Sequence, residues 1–386
     1  MGAKIVFFYD ITENDFYIEK NFDSIPYFNL KKINFDDFIL HYMKKLILPV
    51  VIIGLAVMAF LAYNVYAIML VPNTTFNEEK VDLYIATNSS YDDVKLMIKP
   101  LIKDFNTFET LATQKKYPQY IKFGKVVLKK NMTNNELVTA LRNPVLINLT
   151  FNNQERIENL AGRVAKQIEA DSTSLVHIMT DLGFLSDNGF ESQQAIAMYL
   201  PNSYEFKWNT TAEQFRDRML KEYRKFWTQD RINKAKAQGL TPIQATTLAS
   251  IVHKETVKAD ERPKIAGVYL NRLKSGMLLQ ADPTVIFAKK LMDNNFSQEI
   301  KRVLNADLTI DSPYNTYKYS SLPPGPIFMP DINAIEAVIN PENHDFIYFC
   351  ASVTNFGYHE FARNHSEHEV NAAKYRAWIS AQGVRR

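Results

Sequence analysis

The sequence predicts an α+β protein with an N-terminal transmembrane helix, a small α/β module and a larger, mainly helical α+β domain. Three observations support this: one long uncharged apolar run, a short stretch of alternating strand and helix patterns, and mostly helical apolar spacing in the rest of the chain. With 386 residues, the chain is long enough for two globular units. The predicted segments are residues 1–45 before the transmembrane helix, 46–71 for that helix, 80–143 for the module and 145–386 for the larger domain.

The apolar run from Leu46 to Val71 contains no charged residue. A helix needs about 20 mainly apolar residues to cross the core of a bilayer, so this run is long enough. Two lysines precede it directly, whereas the first charges after it belong to two glutamates. Because basic residues favour the cytoplasmic side, we predict a cytoplasmic N-terminus and an extracytoplasmic chain after about residue 72.

The segment before the apolar run is harder to interpret. Met43 begins a Met-Lys-Lys sequence directly before the run, a pattern typical of the start of a membrane-anchored protein. We therefore hypothesise that translation starts at Met43. For residues 1–42 the sequence predicts no structure.

The predicted module alternates short strands and helices and has the size of a small sugar-binding unit. Its predicted elements are a strand at Val81–Ala86, helices at Tyr91–Ile102 and Phe105–Gln114, a strand at Gly124–Leu128 and a helix after Thr133. Thr133 is an N-cap candidate because Glu136 follows it at the capping-box spacing. After Asn143-Pro144 breaks the pattern, Val145–Phe151 alternates as a new strand.

The most informative helix of the larger domain begins at Thr241. Thr241 is a good N-cap, a proline occupies the first helical position, and Gln244 completes a capping box. The helix runs to Glu255, which shares one apolar face with Leu248 and the Ile-Val pair that follows. The side chain of His253 is predicted to point away from that face.

A glutamate on an apolar face has more than one explanation. Glu255 fits a buried salt bridge with an arginine such as Arg272, or a partly exposed carboxylate at a helix end. It also fits a general acid, because desolvation raises the pKa of a carboxyl group and keeps it protonated. The residues alone leave these alternatives open.

Three further segments carry polar or aromatic groups. Glu261–Leu273 is predicted to be a helix that ends at Gly276. Gln280 and Asp282 lie two residues apart and point to the same side if their segment is extended. The last segments are the loop Ser312–Tyr317 and the Pro-rich loop Leu322–Ile327, which are either sugar-binding or ordinary surface connections.

These segments, taken in order, resemble the successive motifs of the endolytic murein transglycosylase family, the YceG-like proteins. The resemblance rests on Leu200–Phe206, Leu248–Thr256, Glu261–Leu273, Leu279–Val285, Ser312–Tyr317 and Leu322–Ile327. It implies an inner-membrane enzyme that faces the periplasm, cleaves nascent glycan strands of peptidoglycan internally and carries a LysM-like module before its catalytic domain. The family's catalytic glutamate maps onto Glu255.

The resemblance also implies a mechanism with a single carboxyl group. The 6-hydroxyl of the muramic acid residue attacks its own C1 and closes a 1,6-anhydro ring, while Glu255 serves as acid and then as base. We expect contacts with the substrate from Arg272, Gln280, Asp282, Tyr314, Asn315 and Tyr317. A hydrolytic muramidase and a peptidoglycan-binding scaffold without activity remain the alternatives.

The chain departs from the family pattern at three places. His253 occupies a position that is often a second glutamate, Ser321 replaces the usual glycine before Leu-Pro-Pro-Gly, and Met329-Pro330-Asp331 replaces an Asn-Pro-Gly turn. The first departure makes position 253 dispensable for the chemistry. The other two concern the local geometry of the Pro-rich loop and of the turn that follows it.

Other functions receive little support from the sequence. A net charge of +3 without a dense basic stripe gives no argument for nucleic acid as a partner. Cys350, the single cysteine, lies in a run predicted to be a buried strand, so we predict a structural role for its thiol. His365 and His368, with neighbouring His359-Glu360 and Glu369, supply too few converging ligands for zinc, and the family uses no metal or cofactor. A peptidoglycan synthase is an expected partner.

Overall fold

The computed structural model describes residues 5–10, 15–20 and 31–381, and its secondary structure is mostly helical. The strands are β1 Ile5–Asp10, β2 Asp15–Lys20, β3 Lys31–Asn34, β4 Lys80–Ile85, β5 Gly124–Lys129, β6 Leu146–Phe151, β7 Asn202–Lys207, β8 Tyr348–Ala351 and β9 His359–Ala362. The helices are α1 Phe35–Met69, α2 Tyr91–Ile98, α3 Phe105–Gln114, α4 Asn134–Arg142, α5 Ile157–Ala165, α6 Ser172–Met179, α7 Leu182–Asp187, α8 Ala212–Phe226, α9 Gln229–Ala237, α10 Pro242–Glu255, α11 Arg262–Lys274, α12 Asp282–Met292, α13 Ile332–Ile339 and α14 His365–Ala381.

The N-terminal part contains an antiparallel sheet, for which the sequence made no prediction, and then one long helix. The sheet has the strand order β1-β2-β3. Among the helices that the structure describes, one is long and apolar enough to cross a membrane, over Ile39–Met69, and its most apolar window is not buried by protein. The helix begins at Phe35, earlier than the predicted Leu46. The residues from Phe35 to Lys45 include no proline or glycine, so they continue the same helix.

Most predicted elements of the module are present within one or two residues. The capping box of Thr133 and Glu136 is formed, with reciprocal side-chain and backbone bonds. The prediction of a helix to Ile102 was wrong at its end. α2 stops at Ile98 and a short 3₁₀ turn follows, because Pro100 has no N–H for an α-helical bond and its ring crowds the preceding turn.

The contacts divide the chain into two compact units that are not consecutive in sequence. The smaller unit comprises the described residues up to 81 together with 90–121 and 128–143, and the larger comprises 82–89, 122–127 and the described residues from 144 onward. The predicted domain bounds therefore remain a prediction, since residues of the module belong to both units.

A buried amide network holds the segment after α1 within the smaller unit. The Asn73 side chain donates to the Asn134 side chain at 2.6 Å and to the carbonyl of Asp104 at 2.8 Å. Asn134 in turn donates to the carbonyl of Ile68 near the end of α1, at 2.9 Å. Buried amides that satisfy one another in this way fix a local geometry, so the end of α1 has a defined junction with α3 and α4.

The centre of the larger unit is α10. Every side chain from Ala245 to Val252 is buried, so the prediction of a single apolar face was too narrow. The hydroxyl groups of Thr246 and Thr247 donate to carbonyls four residues earlier, which lets polar residues face a packed interior. α10 packs against α11, α12 and α13.

Two antiparallel strand pairs complete the larger unit: β6–β7, whose strands are separated by three α-helices in the chain, and the hairpin β8–β9. Cys350 lies in β8, but that strand begins at Tyr348 and the thiol is half-buried, so the prediction of a fully buried strand was wrong. The β8–β9 pair lies near the C-terminal helix α14, with which both strands make contacts.

Candidate active site

The carboxyl group of Glu255 lies at the C-terminal end of α10 and retains partial access to solvent. The hydroxyl of Tyr269, a fully buried residue of α11, donates a hydrogen bond of 2.6 Å to its Oε1 atom. No ion pair with Glu255 is formed within the described parts of the chain. The alternative of a salt bridge with Arg272 is therefore not what holds this carboxyl group.

The surroundings of Glu255 favour its protonated form. Burial among protein atoms raises the pKa of this carboxyl group from 4.5 to about 7, and the negative charge of Asp282 acts in the same direction. The Tyr269 hydrogen bond and the positive charge of Arg272 oppose the rise but do not cancel it. At neutral pH the group can therefore both give and take a proton.

Arg272 supports the site from within the protein. It is buried, and its guanidinium group donates to the carbonyl of Leu279 at 2.5 Å and to that of Ile347 at 2.7 Å. These bonds fasten the segment before α12 and the start of the C-terminal hairpin to α11. Two of its five N–H donors are used in this way, so Arg272 has a positioning role, and its predicted contact with substrate stays a prediction.

Asp282 and Tyr317 lie close to Glu255 and Arg272, and their side chains contact each other. The Tyr317 hydroxyl donates to Oδ1 of Asp282 at 2.6 Å. The expectation that Gln280 and Asp282 share one side of an extended segment was wrong: Gln280 has a left-handed backbone with φ of +50°, and Asp282 is the first residue of α12. The Gln280 side chain is exposed, with no hydrogen bond to any described residue.

The loop Ser312–Tyr317 presents fewer side chains to the candidate site than the sequence predicted. Asn315 is fully buried, and its amide donates to the carbonyls of Leu308 and Ile310. The ring of Tyr314 is also buried, with its centroid 4.7 Å from that of Phe287. Both residues shape the loop from inside, so their predicted direct contact with substrate disagrees with their position.

A pair of threonines, which the sequence analysis did not single out, joins that loop to α12. The hydroxyl groups of Thr284 and Thr316 lie 2.8 Å apart, and both residues are buried. The backbone N–H of Ala281 donates to the Thr316 hydroxyl at 3.0 Å. This contact sets Tyr317, the next residue, opposite Asp282.

The structure gives His253 neighbours that the sequence did not predict. Its Nδ1 atom accepts a bond of 3.2 Å from the backbone N–H of Asp331, and its ring lies 5.2 Å from that of Phe328. Burial lowers the pKa of this imidazole to about 4; the negative charge of Asp331 opposes this change, and the positive charges of Arg262 and Lys254 add to it. His253 is therefore neutral at physiological pH, and its ring anchors the segment that contains Asp331.

The Pro-rich loop lies against the 3₁₀ segment that precedes β7. A Cβ atom on Gly325 would lie 2.1 Å from the carbonyl oxygen of Gln193, so only glycine permits this approach. Ser250 in α10 accepts a bond from the backbone N–H of Ile327 at 3.1 Å. Ser321 has a φ of +89°, which explains why glycine suits that position.

Glu261, which the sequence analysis named only as the start of a helix, is a buried glutamate directly before α11. Glu261 accepts two bonds from His359, one from its backbone N–H at 2.7 Å and one at its ring Nδ1 at 2.8 Å. The rings of His365 and His368 lie near Tyr348 instead of converging with His359. Within the described residues, no three histidine, cysteine or acidic side chains are grouped so that they could hold a metal ion.

Comparison with known proteins assigns the fold. The sequence profile of the YceG-like family matches residues 83–374. The chain belongs to the YceG-like family. The crystal structure of a YceG-like protein from Listeria monocytogenes superposes with a TM-score of 0.51 and 25% sequence identity, covering 76% of this chain and 98% of that one.

Two curated relatives of this YceG-like protein carry the same name. An endolytic murein transglycosylase from Streptococcus pneumoniae is 29% identical over 348 residues, which are 82% of this chain. An endolytic murein transglycosylase from Bacillus subtilis is 41% identical over 129 residues, or 33% of each chain. The matched region spans 62% of the length of the pneumococcal relative.

Proposed function

We propose that this protein is a peptidoglycan lytic transglycosylase that cleaves glycan strands internally, between MurNAc and GlcNAc. The observation that carries the proposal is the carboxyl group of Glu255, which lies in the family-like motif, has a pKa of about 7 and remains accessible to solvent. The names of the relatives from two bacteria support the same activity.

The proposed reaction needs one carboxyl group and no cofactor. Glu255 donates its proton to the glycosidic oxygen as the bond from C1 of MurNAc breaks, which releases the GlcNAc side as an alcohol. The 6-hydroxyl of the same MurNAc then bonds to C1, and its proton passes to the Glu255 carboxylate. The products are a 1,6-anhydro end and a restored acid, so no water is consumed.

The Tyr269 hydroxyl has a positioning role in this scheme. Its bond to Oε1 fixes the rotation of the Glu255 carboxyl group, and Tyr269 is itself held in the core. The other carboxyl oxygen accepts no hydrogen bond from any described residue and is the one that would face the glycosidic oxygen. Among the predicted substrate contacts, Gln280, Asp282 and Tyr317 remain at the surface of the site, and we propose them as sugar-binding groups.

A hydrolytic muramidase is the second candidate, and one observation favours it. Asp282 is close enough for its charge to raise the pKa of Glu255, and most glycoside hydrolases use two carboxyl groups. Its Oδ1 atom is occupied by the Tyr317 hydroxyl, which fits a binding role better than the activation of water. A scaffold without activity is a weaker candidate, because Glu255 is retained.

The anchor completes the proposal. We infer that α1 tethers the protein in the inner membrane with its larger unit in the periplasm, where it acts on strands near a peptidoglycan synthase. The support is the apolar length of Ile39–Met69 and the lysines before the apolar run. The residues of the module are proposed to be LysM-like and to guide a strand toward Glu255. A reporter fused after Arg386 should behave as periplasmic.

The products distinguish the candidates. Purified protein is incubated with uncrosslinked glycan strands, and the new ends are identified by mass spectrometry. The proposal predicts 1,6-anhydro-MurNAc ends within the strands. Reducing MurNAc ends would establish the hydrolytic alternative, and intact strands would leave only the scaffold.

A further inference from the structure

A cavity of about 540 Å³ lies in the larger unit beside the first turns of α10, away from Glu255. Its volume falls within the range of about 300–1,000 Å³ that is usual for small-molecule sites. None of the residues assigned above to the catalytic site lines it. The cavity is therefore a second concave surface for which the proposed reaction gives no role.

Both helices of the catalytic site lead to this cavity. Gln244 lines it, and three helical turns, about 16 Å along the axis, separate Gln244 from Glu255 on the same side of α10. On α11, Leu273 lines the cavity one turn after Tyr269. Leu248 and Ile251 lie between the cavity and the catalytic residue on the same side of α10, and both are buried. A linear ligand that occupied both places would therefore pass over the segments packed on α10 and would need a few sugar units to span the distance.

The lining has the chemistry of a carbohydrate site. Leu240, Ile243 and Pro323 form apolar walls, and the carboxamide of Gln238 is half-buried without a hydrogen bond to any described residue. The Oε1 atom of Gln244 accepts the Thr241 N–H in the capping box, which leaves its amide N–H groups free. Neutral amide donors above apolar walls suit sugar hydroxyl groups and ring faces.

The charges at the rim are balanced. Glu191 and Lys274 both line the cavity, and neither forms an ion pair within the described residues. One opposite pair gives the cavity no net charge, so it does not select an anion or a cation. The sugar rings of a glycan strand, with their uncharged hydroxyl and acetamido groups, fit this balance better than a stem peptide with several carboxylates.

We propose that this cavity is a distal subsite that binds the sugar backbone of the glycan strand being cut at Glu255. The inference rests on the proposed function, since the strand is the substrate assigned there. It adds a second contact to the same strand, which would favour chains long enough to occupy both places.

The test measures binding in a protein that cannot cut. The full chain in detergent carries Glu255→Gln, and its Kd for long, peptide-free glycan strands is compared with and without the double change Gln238→Leu and Gln244→Leu. Loss of two amide groups should raise the Kd about tenfold. The control is Gln214→Leu, which removes the equivalent capping-box bond from Thr211 in α8 and should leave the Kd unchanged.

Each outcome has a distinct meaning. An unchanged Kd in the double variant overturns the subsite. A loss of affinity that is confined to peptide-bearing strands overturns the sugar backbone as its occupant. Cleavage of strands by the Glu255→Gln protein at the wild-type rate would contradict the proposed function. The subsite is tested separately, by the difference in Kd between the protein with and without the double change.

Discussion

Two glutamates close together in sequence, Glu255 and Glu261, have opposite surroundings. Glu261 precedes the first residue of α11, where the positive end of the helix dipole stabilises an anion, and His359 supplies two hydrogen bonds to it. Glu255 ends α10, where the dipole disfavours an anion, and it has a single donor, Tyr269. The structure thus satisfies the carboxyl group of Glu261 with hydrogen bonds and leaves Glu255 partly protonated at neutral pH.

The comparison shows why burial alone does not identify a catalytic acid. Glu261 is the more buried of the two residues, yet its bonding capacity is used by the protein. Glu255 keeps an unused oxygen, access to solvent and a neighbouring negative charge from Asp282. The group that remains incompletely satisfied is the one available for chemistry.

The largest expected difference between the two lies in activity. Glu255→Gln should reduce strand cleavage by about 10²–10⁴-fold, because glutamine keeps the shape but cannot donate the proton. The pKa of Glu255 is about 7 in the folded state and 4.5 ordinarily, so the native protein loses stability as pH rises from about 4.5, and the loss is complete just above 7. Glutamine should therefore stabilise the fold at pH 8 by on the order of 2 kcal/mol, measured by chemical unfolding.

Glu261→Gln provides the matched comparison. Its amide would face the donors of His359, so the fold should lose about 2–4 kcal/mol, while cleavage by the remaining folded protein falls less than tenfold. If instead Glu261→Gln abolished cleavage without loss of stability, Glu261 would be the candidate acid and its proposed structural role would be wrong.

A smaller effect is expected at the other side of the last turn of α10. His253→Ala removes the acceptor for the Asp331 N–H and should cost about 1–2 kcal/mol of unfolding free energy, with less than a tenfold change in cleavage. The control is His177→Ala, at an exposed position of α6, which should alter neither quantity. A loss of activity as deep as that of Glu255→Gln would show that the wrong side chain has been assigned.

The smallest effect concerns the backbone of the Pro-rich loop. Ser321→Gly should stabilise the protein by about 0.5–1 kcal/mol, because glycine relieves the left-handed conformation but adds freedom to the unfolded chain. Ser320→Gly, at a neighbour without a positive φ, should be neutral or destabilising in the same unfolding measurement. Equal effects at both positions would show that the left-handed backbone of Ser321 does not destabilise the protein.

The sequence predicted those features that short-range chemistry determines. The start of α10 follows from the N-cap Thr241, the following proline and the capping Gln244, and all three act within four residues of one another. The position of Glu255 at the end of that helix follows in the same way. Family motifs then gave the order of the segments that surround it.

Contacts between distant segments could not be predicted in this way. The bond from Tyr269 to Glu255 depends on how α10 and α11 pack, and the burial of Asn315 depends on carbonyls that its own loop brings together. Two departures from the family pattern, His253 and Asp331, are joined by a hydrogen bond. Each looked like an isolated change because the sequence does not show that the two residues are neighbours.

The central claim is that Glu255 cleaves strands as a protonated acid, and the pH dependence of kcat/KM tests it most directly. Because this quantity reports the free enzyme, it should fall above a pH of about 7 as Glu255 loses its proton. Asp282→Asn removes a charge that raises the pKa and should move the fall to lower pH, whereas Tyr269→Phe removes a bond that lowers it and should move the fall to higher pH. A profile that stays flat to pH 9, or that shifts in neither variant, would contradict the assignment of Glu255 as the acid.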